Sequence, residues 1–258
     1  MRDAGLNLAI GAAGGVAQLA RKIGIAQPSV SNWSRIPAER VIAVEAATGV
    51  SREILRPDLY KQLASPDVTD PSDVARAQEY ALLATLLSSA PSSALLAQIV
   101  QLRGDATPLG QAHVALAEAA ASTLAANVER EYFDLFVGVG RGELLPYASY
   151  YLTGFLNERP LSRLREDLAV LGIARVETNC EPEDHAATLC EIMAGLASGR
   201  FPASQDAQRA FFEKHISRWM GRLFADLEKV ESAKFYRRVG MLGSVFLKIE
   251  SEAFAFAN

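Results

Sequence analysis

Three clusters of residues in this chain carry side chains from which a site could be built. The first runs from Glu131 to Gly138 and on from Leu145-Pro146, and presents Tyr147, Ser149, Tyr150, Tyr151 and Phe155 after that proline. Phenol rings join a broad apolar face to a polar tip, which suits them to gripping a peptide at low entropic cost. The second is Glu181-Pro182-Glu183-Asp184-His185, with carboxylates for a cation and an imidazole that titrates near neutrality. The third runs from Phe211 to Trp219 and contains His215. None of them has the arrangement that catalysis needs, because no nucleophile stands beside a base. Cys180, His185 and Cys190 recur every five residues, which on a helix sets neighbours ~140° apart, so zinc is not expected. Gly138, Gly140 and Gly142 fall short of a dinucleotide fingerprint, since Glu143 occupies the next position and a helical pattern precedes them. There is no phosphate-binding P-loop. The expectation is a binding protein, not an enzyme, with no cofactor and no metal.

Each cluster also has a purely structural reading, and the residues alone leave both open. Aromatics at helical spacing pack in cores, the default for Tyr150 and Phe155. Pro182 suits the first position of a helix, with Glu183 and Asp184 in its acidic first turn. His185 begins a face continued by Leu189, Ile192 and Leu196, where a histidine can be a satisfied interior group. Tyr147, at a helix start, is the tyrosine expected to be accessible.

The elements that must position these clusters are helices. Tyr80, Leu83, Ala84 and Leu87 share a face, as do Leu109, Leu116, Ala120, Leu124, Val128, Tyr132 and Leu135, with a break between two helices. Phe212, Ile216, Trp219 and Leu223 form a further stripe, and Phe235, Val239, Leu242 and Phe246 another. Alternating β-branched runs are scarce, so the fold class is all-α. Residues 61–72 read as a linker, rich in Pro, Asp and Ser, with Asp70-Pro71 able to cap a new helix. That divides the chain into a small domain, 1–60, and a larger one, 73–258. Their charges differ: residues 1–65 sum to +3 and residues 66–258 to −7. Such asymmetry suits a nucleic-acid-facing head on an acidic body. The two cysteines do not make a disulfide framework. The apolar start, Leu6–Ala20, is broken by Asn7, Gln18 and glycines, unlike a secretion signal, and no run approaches a membrane span. A cytoplasmic protein is expected.

The small domain holds Val16–Trp33, VAQLARKIGIAQPSVSNW. A helix-turn-helix needs a small residue where its helices touch, a glycine able to take positive φ, and apolar residues that lock the second helix. Ala20, Gly24, and Ile25 with Val30 and Trp33 fill those positions. Val16, Leu19 and Ile23 make the inner face of the first helix, and Pro28 suits the start of the second. The stretch resembles the helix-turn-helix of Cro/YdaS-like repressors over residues 4–60. Gln27, Ser29, Ser31 and Asn32 would face bases, and Arg21, Lys22 and Arg35 phosphates. The second helix has no Arg or Lys, so docking or dimerisation stands beside DNA binding as a role.

In the larger domain, L-P-Y-x-S-x-Y from Leu145, E-P-x-D-H from Glu181 and F-x-x-x-H-I-x-x-W from Phe211 come in an order that resembles the TorD/DmsD/NarJ family of redox-enzyme maturation chaperones, over residues 74–252. The resemblance implies an all-helical fold that binds the twin-arginine leader of a molybdoenzyme, of the DMSO/TMAO reductase or formate dehydrogenase type. It holds the precursor until its cofactor is inserted. By matching motif, the leader site would comprise Tyr147, Ser149, Tyr150, Tyr151, Phe155, Pro182, Asp184 and His185, with Glu181 and Glu183 adding negative charge. Tyr147 stands where a Trp is common in some members, so leader preference does not carry over. The competing reading is a transcription regulator whose helical body senses a ligand or peptide.

Overall fold

The computed structural model describes residues 2–57, 70–174 and 181–256. Two compact units, Met1–Val68 and Thr69–Asn258, make up the chain. Every regular element among the described residues is helical, and an isolated antiparallel bridge joins Tyr147 to His185.

The N-terminal unit contains α1 (Ala4–Ala13), α2 (Val16–Lys22), α3 (Gln27–Ser31), α4 (Val41–Thr48) and α5 (Arg52–Leu55). Asp3 caps α1 by accepting from the Leu6 amide. Gly24 takes φ 71° in the turn between α2 and α3, a left-handed conformation that a β-carbon disfavours. Leu6, Leu19, Val30, Ile36, Val44 and Leu55 close the core. Gly5 lets α1 and α5 touch, since a Cβ there would stand 2.2 Å from the Leu55 carbonyl oxygen.

The larger unit contains α6 (Pro71–Ser88), α7 (Ser93–Ile99), α8 (Pro108–Ala121), α9 (Ala125–Tyr132), α10 (Ala148–Thr153), α11 (Arg159–Val170), α12 (Ala186–Ala197), α13 (Gln205–His215), α14 (Met220–Lys229) and α15 (Phe235–Phe256). Of the stretch read as a linker, residues 61–69 lie outside the described residues. Its last positions already belong to α6, with Asp70 capping the Ser72 amide and Pro71 as first helical residue. The apolar stripes become the core: Tyr80, Leu83 and Leu87 of α6, Leu189, Met193 and Leu196 of α12, and Val239, Leu242 and Phe246 of α15. The long stripe breaks between α8 and α9, leaving Leu124 exposed, and a π-helical turn, Phe133–Val137, follows α9. Phe212, Ile216, Trp219 and Leu223 are all buried although the helix breaks between α13 and α14.

Two polar devices hold long-range contacts. Glu131 accepts from the amides of Lys234, Phe235 and Tyr236, a carboxylate where α15 has unsatisfied donors. Buried Glu250 near the other end of α15 receives Arg76 at 2.7 Å and the Tyr80 hydroxyl at 3.0 Å. Paired on both oxygens, this carboxylate can sit in the interior.

Candidate functional site

His185 is the cap of α12, and that overturns the expectation that Pro182 opens this helix. Pro182 precedes a turn through Glu183 and Asp184, and α12 begins at Ala186. The His185 Nδ1 accepts from the Ala187 amide at 3.1 Å, so the imidazole satisfies a donor that the helix leaves free. The same segment is tied to the start of α10. Ala148 N donates to the Asp184 carbonyl at 3.0 Å, and Ala186 N donates to the Pro146 carbonyl at 2.8 Å. Tyr147 and His185 therefore face each other, edge to face, with ring centroids 5.0 Å apart. The Tyr147 hydroxyl donates to Glu181 Oε2 at 2.6 Å. Burial pushes the Tyr147 phenol well above its ordinary value, reinforced by that carboxylate, so it remains a donor at neutral pH. His185 shifts the other way, because burial penalises its cation more than Glu181 and Asp184 support it.

Two expected contact residues are interior. Asp184 and Ser149 are both 0% exposed. Asp184 Oδ2 accepts from the Ser149 amide at 2.8 Å, which anchors the first turn of α10 to the 181–185 segment. Neither stands on the surface as expected: one oxygen of the Asp184 carboxylate serves a backbone donor, while its Oδ1 and the Ser149 hydroxyl are buried with no hydrogen-bond partner. Glu183 is likewise engaged, with Arg165 donating to its Oε2 from two nitrogens at 3.0 and 2.8 Å.

The aromatic cluster is split. Tyr151 packs on Trp219 at 5.5 Å and donates to Asp226 Oδ2 at 3.1 Å, so it is largely a structural group. Tyr150 is half-buried under Arg141, which donates to its hydroxyl at 2.7 Å and stacks over its ring. Phe155 is not core: it is 69% exposed, beyond the end of α10 at Gly154. A six-residue helix is too short to hold Tyr147 and Phe155 on one face.

A groove of about 820 Å³ opens beside His185, between α6 and α12. Its walls include Ala77, Ala81 and Thr85 of α6, Thr188, Glu191 and Ala194 of α12, and Tyr132, with Glu181 and His185 at one end. Of the expected leader-site residues, Glu181 and His185 line it, whereas Tyr147, Ser149, Tyr150, Tyr151, Phe155, Pro182 and Asp184 do not. The α6 wall and Tyr132 were not among the expected contact residues, since the sequence placed Tyr132 in a core stripe. A signal existed, because small residues recur at 77, 81 and 85, a four-residue spacing that leaves a shallow strip beside the core stripe. Asp184 instead borders a smaller cavity of about 270 Å³, with Arg163, Asp167 and His215. Among the described residues, no group of three or more His, Cys, Asp or Glu could hold a metal. Cys190 is buried, which pushes its thiol up to about 12, and Cys180 lies outside the described residues.

In the N-terminal unit, Gln27, Ser29, Ser31 and Asn32 are exposed on α3 and its cap, and Arg21 and Lys22 are exposed at the end of α2. Arg35 is engaged by Asp3 at 3.3 Å, and Arg2 donates to the Ser31 carbonyl at 3.2 Å.

The chain matches two family models, one within each unit. Residues 102–225 match the model of the nitrate reductase delta subunit family, and residues 6–64 match that of the bacterial toxin YdaS. Chaperone protein TorD of Vibrio cholerae serotype O1 is 30% identical over 128 residues, 46% of this chain and 58% of the relative. TorD of Aliivibrio fischeri is 30% identical over 134 residues, 48% of this chain and 62% of the relative. TorD of Shewanella loihica is 25% identical over 202 residues, 71% of this chain and 94% of the relative. The chain thus spans under two thirds of the Vibrio cholerae and Aliivibrio fischeri relatives it matches. The larger unit is TorD-like and the N-terminal unit carries a YdaS-like helix-turn-helix module, in a chain whose described helices are none of them long and apolar enough to cross a membrane.

Proposed function

We propose that the larger unit is a cytoplasmic chaperone that binds the twin-arginine leader of a molybdoenzyme precursor and holds it until its cofactor has been inserted. The observation that carries this reading is the pair Glu181 and His185 at one end of the α6–α12 groove, held from behind by Tyr147, which donates to Glu181 and packs on His185 without lining the groove itself. Such a leader joins two guanidinium groups to an apolar, helix-prone stretch. The exposed Glu181 carboxylate and the Tyr132 ring suit the first part, and the shallow floor suits the second. The net charge of the larger domain favours encounter with a basic segment. Calorimetry of the full chain with synthetic leaders tests it. A peptide carrying both arginines should bind, and replacing them with alanine should weaken it at least about tenfold, the scale of a lost charge-assisted contact. Equal affinity for both peptides refutes the reading.

For the N-terminal unit, the exposure of Gln27, Ser29, Ser31 and Asn32 beside Arg21 and Lys22 favours a second activity, DNA binding. Gln and Asn can pair with adenine, while the flanking cations contact phosphate. A gel shift with genomic fragments at low salt should show retention, lost in Arg21→Ala/Lys22→Ala. Absence of any retained fragment assigns this unit to docking or dimerisation instead.

A further inference from the structure

We infer that a bound leader lies in the α6–α12 groove in one polarity, its arginine end at Tyr132, Glu181 and His185 and its apolar stretch running parallel to α12 towards Val74 and Ser198. This rests on the leader reading above and adds the direction of the peptide and its length.

The two walls are antiparallel. At one end, the Tyr132 hydroxyl donates to the carbonyls of Leu87 and Ser88 in the last turn of α6, and its ring shares the groove with Glu181 and His185 at the start of α12. At the other end, Arg76 near the start of α6 donates to Gln208 Oε1, and Gln208 Nε2 donates to the Leu196 carbonyl in the last turn of α12. The α6 wall runs from Val74 to Ser88, about 21 Å at 1.5 Å per residue. That accommodates a helix of about fourteen residues. The side chains along it are short, Ala77, Ala81 and Thr85 facing Ala187 and Ala194, so a second helix can approach closely.

The ends differ in charge. Exposed Glu181 stands at the Tyr132 end, whereas Arg200 follows the last turn of α12 and folds back along its second half, its Nη2 donating to the Glu191 carbonyl at 3.3 Å and lying 3.8 Å from the Glu191 carboxylate. A helix carries roughly +0.5 of a charge at its N-terminus and −0.5 at its C-terminus. Arginines that precede a helical stretch bring their own charge and the positive helix end together to Glu181, and the negative end to Arg200. Guanidinium planes at that end also meet the face of Tyr132. The reverse polarity opposes like charges at Arg200 and sets the carbonyl end of the peptide against Glu181.

Photo-crosslinking of the full chain tests this. The probe is a peptide of two arginines followed by about fourteen alanines and leucines, with benzophenone on either end. Mass spectrometry should place the N-terminal probe around Ser88, Tyr132 and Glu181, and the C-terminal probe around Val74, Ala194 and Ser198. Exchanged positions, or both probes at both ends equally, overturn the polarity while leaving the groove as the leader site. A peptide that binds by calorimetry yet crosslinks only outside the groove overturns both. As a second readout, Arg200→Gln should weaken the peptide about threefold, the scale of a helix-dipole contact, and unchanged affinity counts against the polarity.

Discussion

The two units place their expected contact residues in opposite ways. In the N-terminal unit, Gln27, Ser29, Ser31, Asn32, Arg21 and Lys22 stay on the surface, as the helix-turn-helix pattern implies. In the larger unit, residues of one motif serve different ends: Asp184 is sealed, His185 caps a helix at the groove, and Glu183 is held by Arg165. The first site is a single helix with its short flanks, so local periodicity assigns its faces. The second is made where α10 meets the start of α12, across 35 residues from Ser149 to Asp184. A motif whose residues lie on a turn between packed elements has no face that spacing can reveal.

The widest test of that contrast is Asp184→Ala. If Asp184 is an anchor for α10, its loss should destabilise the larger unit by about 2–3 kcal/mol, the cost of stranding a buried amide that met a charged acceptor. Denaturant unfolding measures this. Unchanged stability with lost leader binding would return Asp184 to the role of a contact residue and erase the difference between the two sites. Next in size, Gly5→Ala should cost the N-terminal unit about 2 kcal/mol through the clash with Leu55, and chemical denaturation of residues 2–57 alone against the wild-type segment reads it.

A third test uses pH. His185 has a folded pKa below its unfolded value of about 6.5, so its contribution to stability is present above that value and is lost as pH falls through it. His113 goes the other way: its hydrogen bond to Glu79 raises its pKa, and the stability it adds is present below about 6.5 and lost as pH rises through the raised value. Leader affinity should therefore be lower at a pH below the depressed folded pKa of His185 than at pH 7, because the ring takes a proton there and loses its cap. In His185→Asn, which keeps a capping acceptor, that drop should shrink, as calorimetry at both pH values would reveal. The smallest effect is expected from Tyr147→Phe. It removes a hydrogen bond to an exposed carboxylate, so stability should change by less than about 1 kcal/mol while leader affinity falls a few-fold.

Sequence alone determined the all-helical fold, because the stripes of α6 and α15 repeat with the helical period and bury the very residues that repeat. It determined the helix starts at Asp70-Pro71 and after Gly24, where the signal is a side chain or a backbone angle belonging to one residue. It brought Tyr147 and His185 forward as candidates. Tertiary structure alone decided which members of that motif face outward, that Tyr132 and the small residues of α6 complete the groove, and that Tyr151 turns inward to Trp219. Exposure depends on what packs against a helix, and that partner lies elsewhere in the chain, beyond the reach of any local pattern.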